Sequence, residues 1–192
     1  MIGVQAIGAI GRLRVAGFTS AFGNGATGVA LPIVLASSFS GWQVGAVLAA
    51  LRLGMSYSFA RGGVEADRAH RVRQMIFFDC VRAAATAGIA VATLVPTSSG
   101  WLLAAACSLA NGISVGFYRP ALSAYWTDIL DQDTRRSGLA SNALINRTGL
   151  AVGAATAGFL VAAQVSIWVL VVDAVTFVVS TPRWLRCHGF VR

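Results

Sequence analysis

Asn24, Arg52, Asn111, Arg147 and Asp173 each interrupt a long run of apolar residues. A charge or amide in such surroundings is expensive to hold, so it contacts a polar substrate, carries a proton or satisfies a neighbour. Asp79, Arg82 and Arg119 interrupt similar runs, closer to clusters of charge. Asp79 and Arg82 stand one helical turn apart and can pair on one helix. Arg119 can serve Asp79 from another helix, and Asp173 can take Arg147 or Arg52. Both uses, a central cavity and internal pairing, are open for these eight side chains. A proton carrier needs a carboxyl that binds and releases a proton inside the membrane, which leaves Asp173 first and Asp79 second.

Other chemistry finds little support. Gly23-Asn24-Gly25-Ala26-Thr27-Gly28 spells the dinucleotide fingerprint G-x-G-x-x-G. That fingerprint needs a preceding strand and an acid about 20 residues on. Here an apolar helical run precedes Gly23 and no acid comes before Glu65, so the glycines suit close helix packing or a local break instead. Cys80, Cys107 and Cys187 with His70 and His188 show no ligand spacing. No metal site, cofactor or nucleophile–base set is expected, and hence no enzyme.

The elements that must position the polar residues follow from composition. The chain is 56% hydrophobic and 11% charged with a mean hydropathy of +0.71, against roughly 25% charged in globular domains. That excludes a water-covered surface and implies lipid as the outer solvent. A membrane helix needs about 20 mostly apolar residues, and six stretches qualify: Val15 to Ala36, Trp42 to Ala60, Gln74 to Val95, Trp101 to Ala124, Gly138 to Ala162 and Val165 to Thr181. At about 1.5 Å per residue, Asn24, Arg52, Asn111, Arg147 and Asp173 fall near mid-depth, with Asp79, Arg82 and Arg119 in the cytoplasmic half. Pro32 and Pro120 remove backbone donors within their spans, and Gly149, Gly153 and Gly158 give span 5 a smooth packing face. Trp42, Trp101, Trp126 and Trp184 stand near span ends, as in an aromatic belt.

The net charge of +8 is carried by arginine, with no lysine, a compositional sign of a GC-rich, bacterial genome. The arginines sit between apolar runs rather than on one polar face, which excludes a nucleic-acid patch. Arg12 and Arg14, Arg61, Arg68, Arg71 and Arg73, Arg135 and Arg136, and Arg183, Arg186 and Arg192 all fall on one side. Their eleven charges face none in the connections around Ser38, Ser98 and Gln164. The positive-inside rule then puts both termini in the cytoplasm. Residues 1–14 form a cytoplasmic N-terminus, 15–181 an all-α integral membrane bundle of six helices, and 182–192 a cytoplasmic tail. About 22 apolar residues in span 1 exceed a signal-peptide core of 7–15, so that helix is expected to remain.

The connection Gly63-Val64-Glu65-Ala66-Asp67-Arg68-Ala69-His70-Arg71-Val72-Arg73 resembles the signature loop of the major facilitator superfamily, G-x-L-A-D-R-x-G-R followed by a second base. Gly63, Ala66, Asp67, Arg68 and Arg71 match; Glu65, His70 and Val72 depart, and Arg73 restores the last charge one place on. GFYRPALSAYWTDIL, SNALINRTGLAVGAATAGFL and VVDAVTFVVS resemble spans 4 to 6 of the bacterial drug and siderophore exporters of that superfamily. Gly23-Asn24-Gly25 and Ala30-Leu31-Pro32 are similar to their G-D-G and A-L-P in span 1.

The resemblance, from about Arg12 to Thr181, implies half of a twelve-helix transporter in the plasma (inner) membrane. It implies export of a drug- or siderophore-like small molecule by alternating access, with the substrate between two six-helix halves. This chain then corresponds to the N-terminal half. The second half would come from self-association or a separate chain, and the signature loop would pack against it. Two departures matter. Asn24 stands where related exporters often carry a titratable aspartate. The span-4 antiporter motif R-x-x-Q-G is not reproduced, since Ser108 occupies the arginine place before Asn111-Gly112. The competing expectation is a non-transporting membrane fragment, with Pro182 to Arg192 a truncated or frame-shifted end, or a membrane interaction subunit.

Overall fold

The computed structural model describes residues 2–66, 71–94, 99–129 and 132–163. All five elements there are helices: α1 (Ile2–Ser38), α2 (Gly41–Ala66), α3 (Arg71–Leu94), α4 (Gly100–Ile129) and α5 (Gln132–Ala162). Four contain stretches long and apolar enough to cross a membrane: Gly17–Ser38, Arg73–Leu94, Gly100–Thr127 and Arg135–Ala162. The 26-residue α2 is long enough but less apolar, carrying Gln43, Arg52 and a run of hydroxyls. The expected sixth span, Val165 to Thr181, and the tail lie outside the described residues.

Each helix outruns its apolar stretch. Residues 2–14, expected as an N-terminal extension, continue α1, and α2 runs to Ala66 rather than stopping at Ala60. Apolarity marks where lipid ends, whereas the backbone ladder stops only where its hydrogen bonds are replaced. Such a replacement is visible at the start of α2. Ser40-Gly41-Trp42-Gln43 is a capping box in which the Ser40 amide donates to Gln43 Oε1 at 2.9 Å. Pro32 and Pro120 both sit inside unbroken helices.

Two close pairings organise the bundle, α1 with α5 and α2 with α4, while α3 packs on α4. Glycine makes both pairings. A Cβ at Gly25 would strike the Leu150 carbonyl, and one at Gly153 would strike the Phe22 carbonyl, so α1 and α5 cross backbone to backbone. Gly54 and Gly112 do the same for α2 and α4, against Leu109 and Leu51. The fingerprint-like glycines thus divide: Gly25 is a packing residue, while Gly28 has open space around its Cα. Of the expected smooth face on α5, Gly149 and Gly153 meet α1 but Gly158 meets nothing.

Larger side chains fill what the glycines leave. Leu31 and Leu35 of α1, Val47 of α2, Ile89 of α3 and Ala104 of α4 form one buried cluster near the arginine-free end. Met75, Tyr118, Tyr125 and Trp126 form another between α3 and α4 near the opposite end. Trp126, expected in the aromatic belt, is buried there because α3 covers it. Trp42 is exposed and meets Trp101 edge to face at 5.0 Å, as a pair at the membrane boundary would.

Candidate functional site

Between the α1·α5 pair and the α3·α4 face lies a cavity of about 330 Å³. Helical periodicity selects its wall. Gly17, Ala21 and Asn24 line it from α1, Val115, Tyr118 and Leu122 from α4, and Ala143, Asn146 and Leu150 from α5, each set about three or four residues apart. Arg82 reaches it from α3, Arg119 from α4 and Arg147 from α5.

Depth counted along the helices puts three of these groups at one level. From the ends at Ser38, Leu94 and Ala162, Asn24, Arg82 and Arg147 lie roughly 18–22 Å down at 1.5 Å per residue. Arg119 lies about 28 Å from the Gly100 end of α4. Within a hydrocarbon layer of about 30 Å, Asn24, Arg82 and Arg147 are therefore internal, and Arg119 lies near the arginine-rich boundary.

Arg82 is the joint of the site. It is 2% exposed and pairs with the fully buried Asp79 of its own helix at 3.9 Å. Its Nη2 donates to Asn24 Oδ1 on α1, and its guanidinium lies 5.8 Å from the Tyr118 ring centre. α1 otherwise touches α3 little, so this contact ties the two halves of the wall. Asn146 is held by its own helix, donating to the Asn142 carbonyl at 2.9 Å and to Asn142 Oδ1 at 3.1 Å.

The sequence candidates divide accordingly. Asn24 and Arg147 share the cavity, together with Arg82 and Arg119, which sequence offered as ion-pair candidates. Of the pairings weighed for Asp79, the structure has the one with Arg82. Arg52 is exposed on α2 and Asn111 is buried on α4, both outside the lining. Ser108 is also buried outside it. Gly63 lies within α2, Arg71 and Arg73 open α3, and Arg73 is exposed. Asp67, Arg68 and Asp173 lie outside the described residues. Sequence reasoning missed Ser20, Tyr118 and Asn146 as lining residues. The available signal was spacing, since Ser20 precedes Asn24 by one turn.

Among the described residues, no three His, Cys, Asp or Glu side chains gather as metal ligands. What the arrangement can do is hold a small, partly polar molecule inside the bundle. Compared with protein-family models and with curated proteins, the chain matches none.

Proposed function

We propose that this chain is a membrane transporter of the major facilitator type, forming a six-helix N-terminal half that exports a small, drug- or siderophore-like molecule by alternating access. One observation carries the reading: a cavity at internal depth whose wall, drawn from four helices, holds Asn24 and Arg147. Intramembrane polar groups that face a cavity mark transport pathways. The two glycine-locked helix pairs also suit rigid-body rocking around such a site. A second six-helix half, from another copy or another chain, completes the pathway.

Expression in an efflux-deficient bacterium should lower the accumulation of at least one fluorescent compound from a structurally varied panel. Asn24→Ala and Arg147→Ala should cut the efflux rate about tenfold, about 1.4 kcal/mol in barrier, at matched membrane levels. A wild-type chain that is strictly monomeric and moves none of the panel would point instead to a non-transporting interaction subunit.

Six spans with both termini in the cytoplasm make a second prediction. With Cys80, Cys107 and Cys187 changed to serine, Ser99→Cys should react with an impermeant maleimide in intact cells. His70→Cys should react only after permeabilisation. The reverse pattern would invert the topology.

A further inference from the structure

We infer that the cavity selects an amphipathic organic anion, a carboxylate or phosphate ester with a small apolar body, gripped by Arg119 and Arg147. This deepens the transporter reading and rests on the cavity being its substrate site.

Charge carries the inference. Three guanidiniums from three helices line one space, and Asp79 is the one acid among the residues whose side chains are described. Asp79 and Asn24 are already engaged with Arg82. Arg119 and Arg147 have no ion pair among the described residues. Two such cations lining one cavity, Arg147 at internal depth and Arg119 nearer the arginine-rich end, favour an anion and repel a cation, because the bundle and lipid leave little water to screen them. A guanidinium fork also matches carboxylate and phosphate oxygens in pairs.

Shape narrows the class. Val115, Leu122 and Leu150 supply apolar wall between the arginines. The volume of about 330 Å³ is at the small end of ligand sites, roughly 300–1,000 Å³. One or two fused rings bearing a single anionic group fill that description better than a large chelator.

The test compares 2-naphthoate with its neutral amide and with 2-naphthylmethylammonium. Binding is measured by equilibrium dialysis against the full chain in phosphatidylcholine nanodiscs, with empty discs as blank. Naphthoate should bind at least tenfold more tightly than the amide, and the ammonium should not rise above the blank. Arg119→Gln and Arg147→Gln should each weaken naphthoate at least tenfold. Arg147→Lys, which keeps the charge but not the fork, should recover only part of the affinity lost in Arg147→Gln, and Arg52→Gln, outside the cavity, should keep all of it. Equal binding of ammonium and naphthoate by the wild-type chain would overturn the inference without recourse to any variant. So would unchanged naphthoate binding in both glutamine variants.

An anionic lipid headgroup offers the same chemistry. Discs doped with phosphatidylglycerol separate the sources: competition with naphthoate assigns the site to lipid, and its absence to a soluble anion. Naphthoate binding without export from loaded vesicles would remove the transport reading alone. Export of a cationic dye by a chain that binds no naphthoate would remove the anion inference alone.

Discussion

Asp79→Ala should cost the protein about 3–5 kcal/mol, the range for breaking one side of a buried ion pair. The carboxylate is fully buried and lies 3.9 Å from a guanidinium that is itself 2% exposed. Alanine would remove the negative charge and leave Arg82 in a medium that solvates it poorly. The Asn24 amide and the Tyr118 ring would remain, but neither carries a full charge. Asp79→Ala combined with Arg82→Met should recover most of the loss, because a flexible apolar chain then fills a site no longer required to hold charge. Asn24→Ala should cost less, about 1.5–3 kcal/mol, the scale of one hydrogen bond to a charged group. Unfolding titrations in mixed micelles give all three values. Equal losses for the single and double variants would show that Asp79 stabilises something other than Arg82.

The same residues show how far a sequence reaches. Asn24 and Arg82 are 58 positions apart, and nothing in local pattern couples them. Sequence placed Asn24 near mid-depth and Arg82 in the cytoplasmic half, and only the observed helix ends bring them to comparable levels, on the one scale that lipid thickness imposes on every helix. Azimuth was harder. Arg52 interrupts an apolar run as clearly as Arg147 does, yet it lies outside the cavity. At 100° per residue it stands about 200° around α2 from Gly54, the residue pressed against α4. Only knowing which face of α2 meets α4 turns Arg52 away. Asn111 presents the converse problem. It shares a stripe with Val115, Tyr118 and Leu122 but lies one turn nearer Gly100, where the helices have already closed.

Helix existence was legible because long apolar runs have one inexpensive backbone state in lipid. Helix ends were not, since the ladder continues past the last apolar residue at both α1 and α2. Trp126 was misplaced for a related reason. Distance from a span end locates a tryptophan in depth, but burial depends on whether a neighbour such as α3 extends equally far.

Leucine at Gly25, Gly153 or Gly112 should disrupt the helix crossings that set the cavity's shape. Overpacking a tight core costs typically 1–3 kcal/mol, and these sites belong at or above the top of that range. The obstructing atoms at Gly25 and Gly153 are the Leu150 and Phe22 backbones, and at Gly112 the Leu51 backbone, which cannot rotate aside as a flexible side-chain tip can. Relief requires separating whole helices. At Gly25 the displacement acts on Asn24 beside it and therefore on the contact to Arg82. Gly25→Leu should thus lose both thermal stability in mild detergent and naphthoate binding. Gly28→Ala, three residues away with open space at its Cβ, should be neutral or stabilise by up to about 1 kcal/mol through helix propensity. The contrast isolates packing from propensity, because both substitutions remove a glycine from the same helix. If Gly25→Leu melted with Gly28→Ala, α1 and α5 would not cross where their glycines meet, and the cavity wall built on that crossing would fall with it.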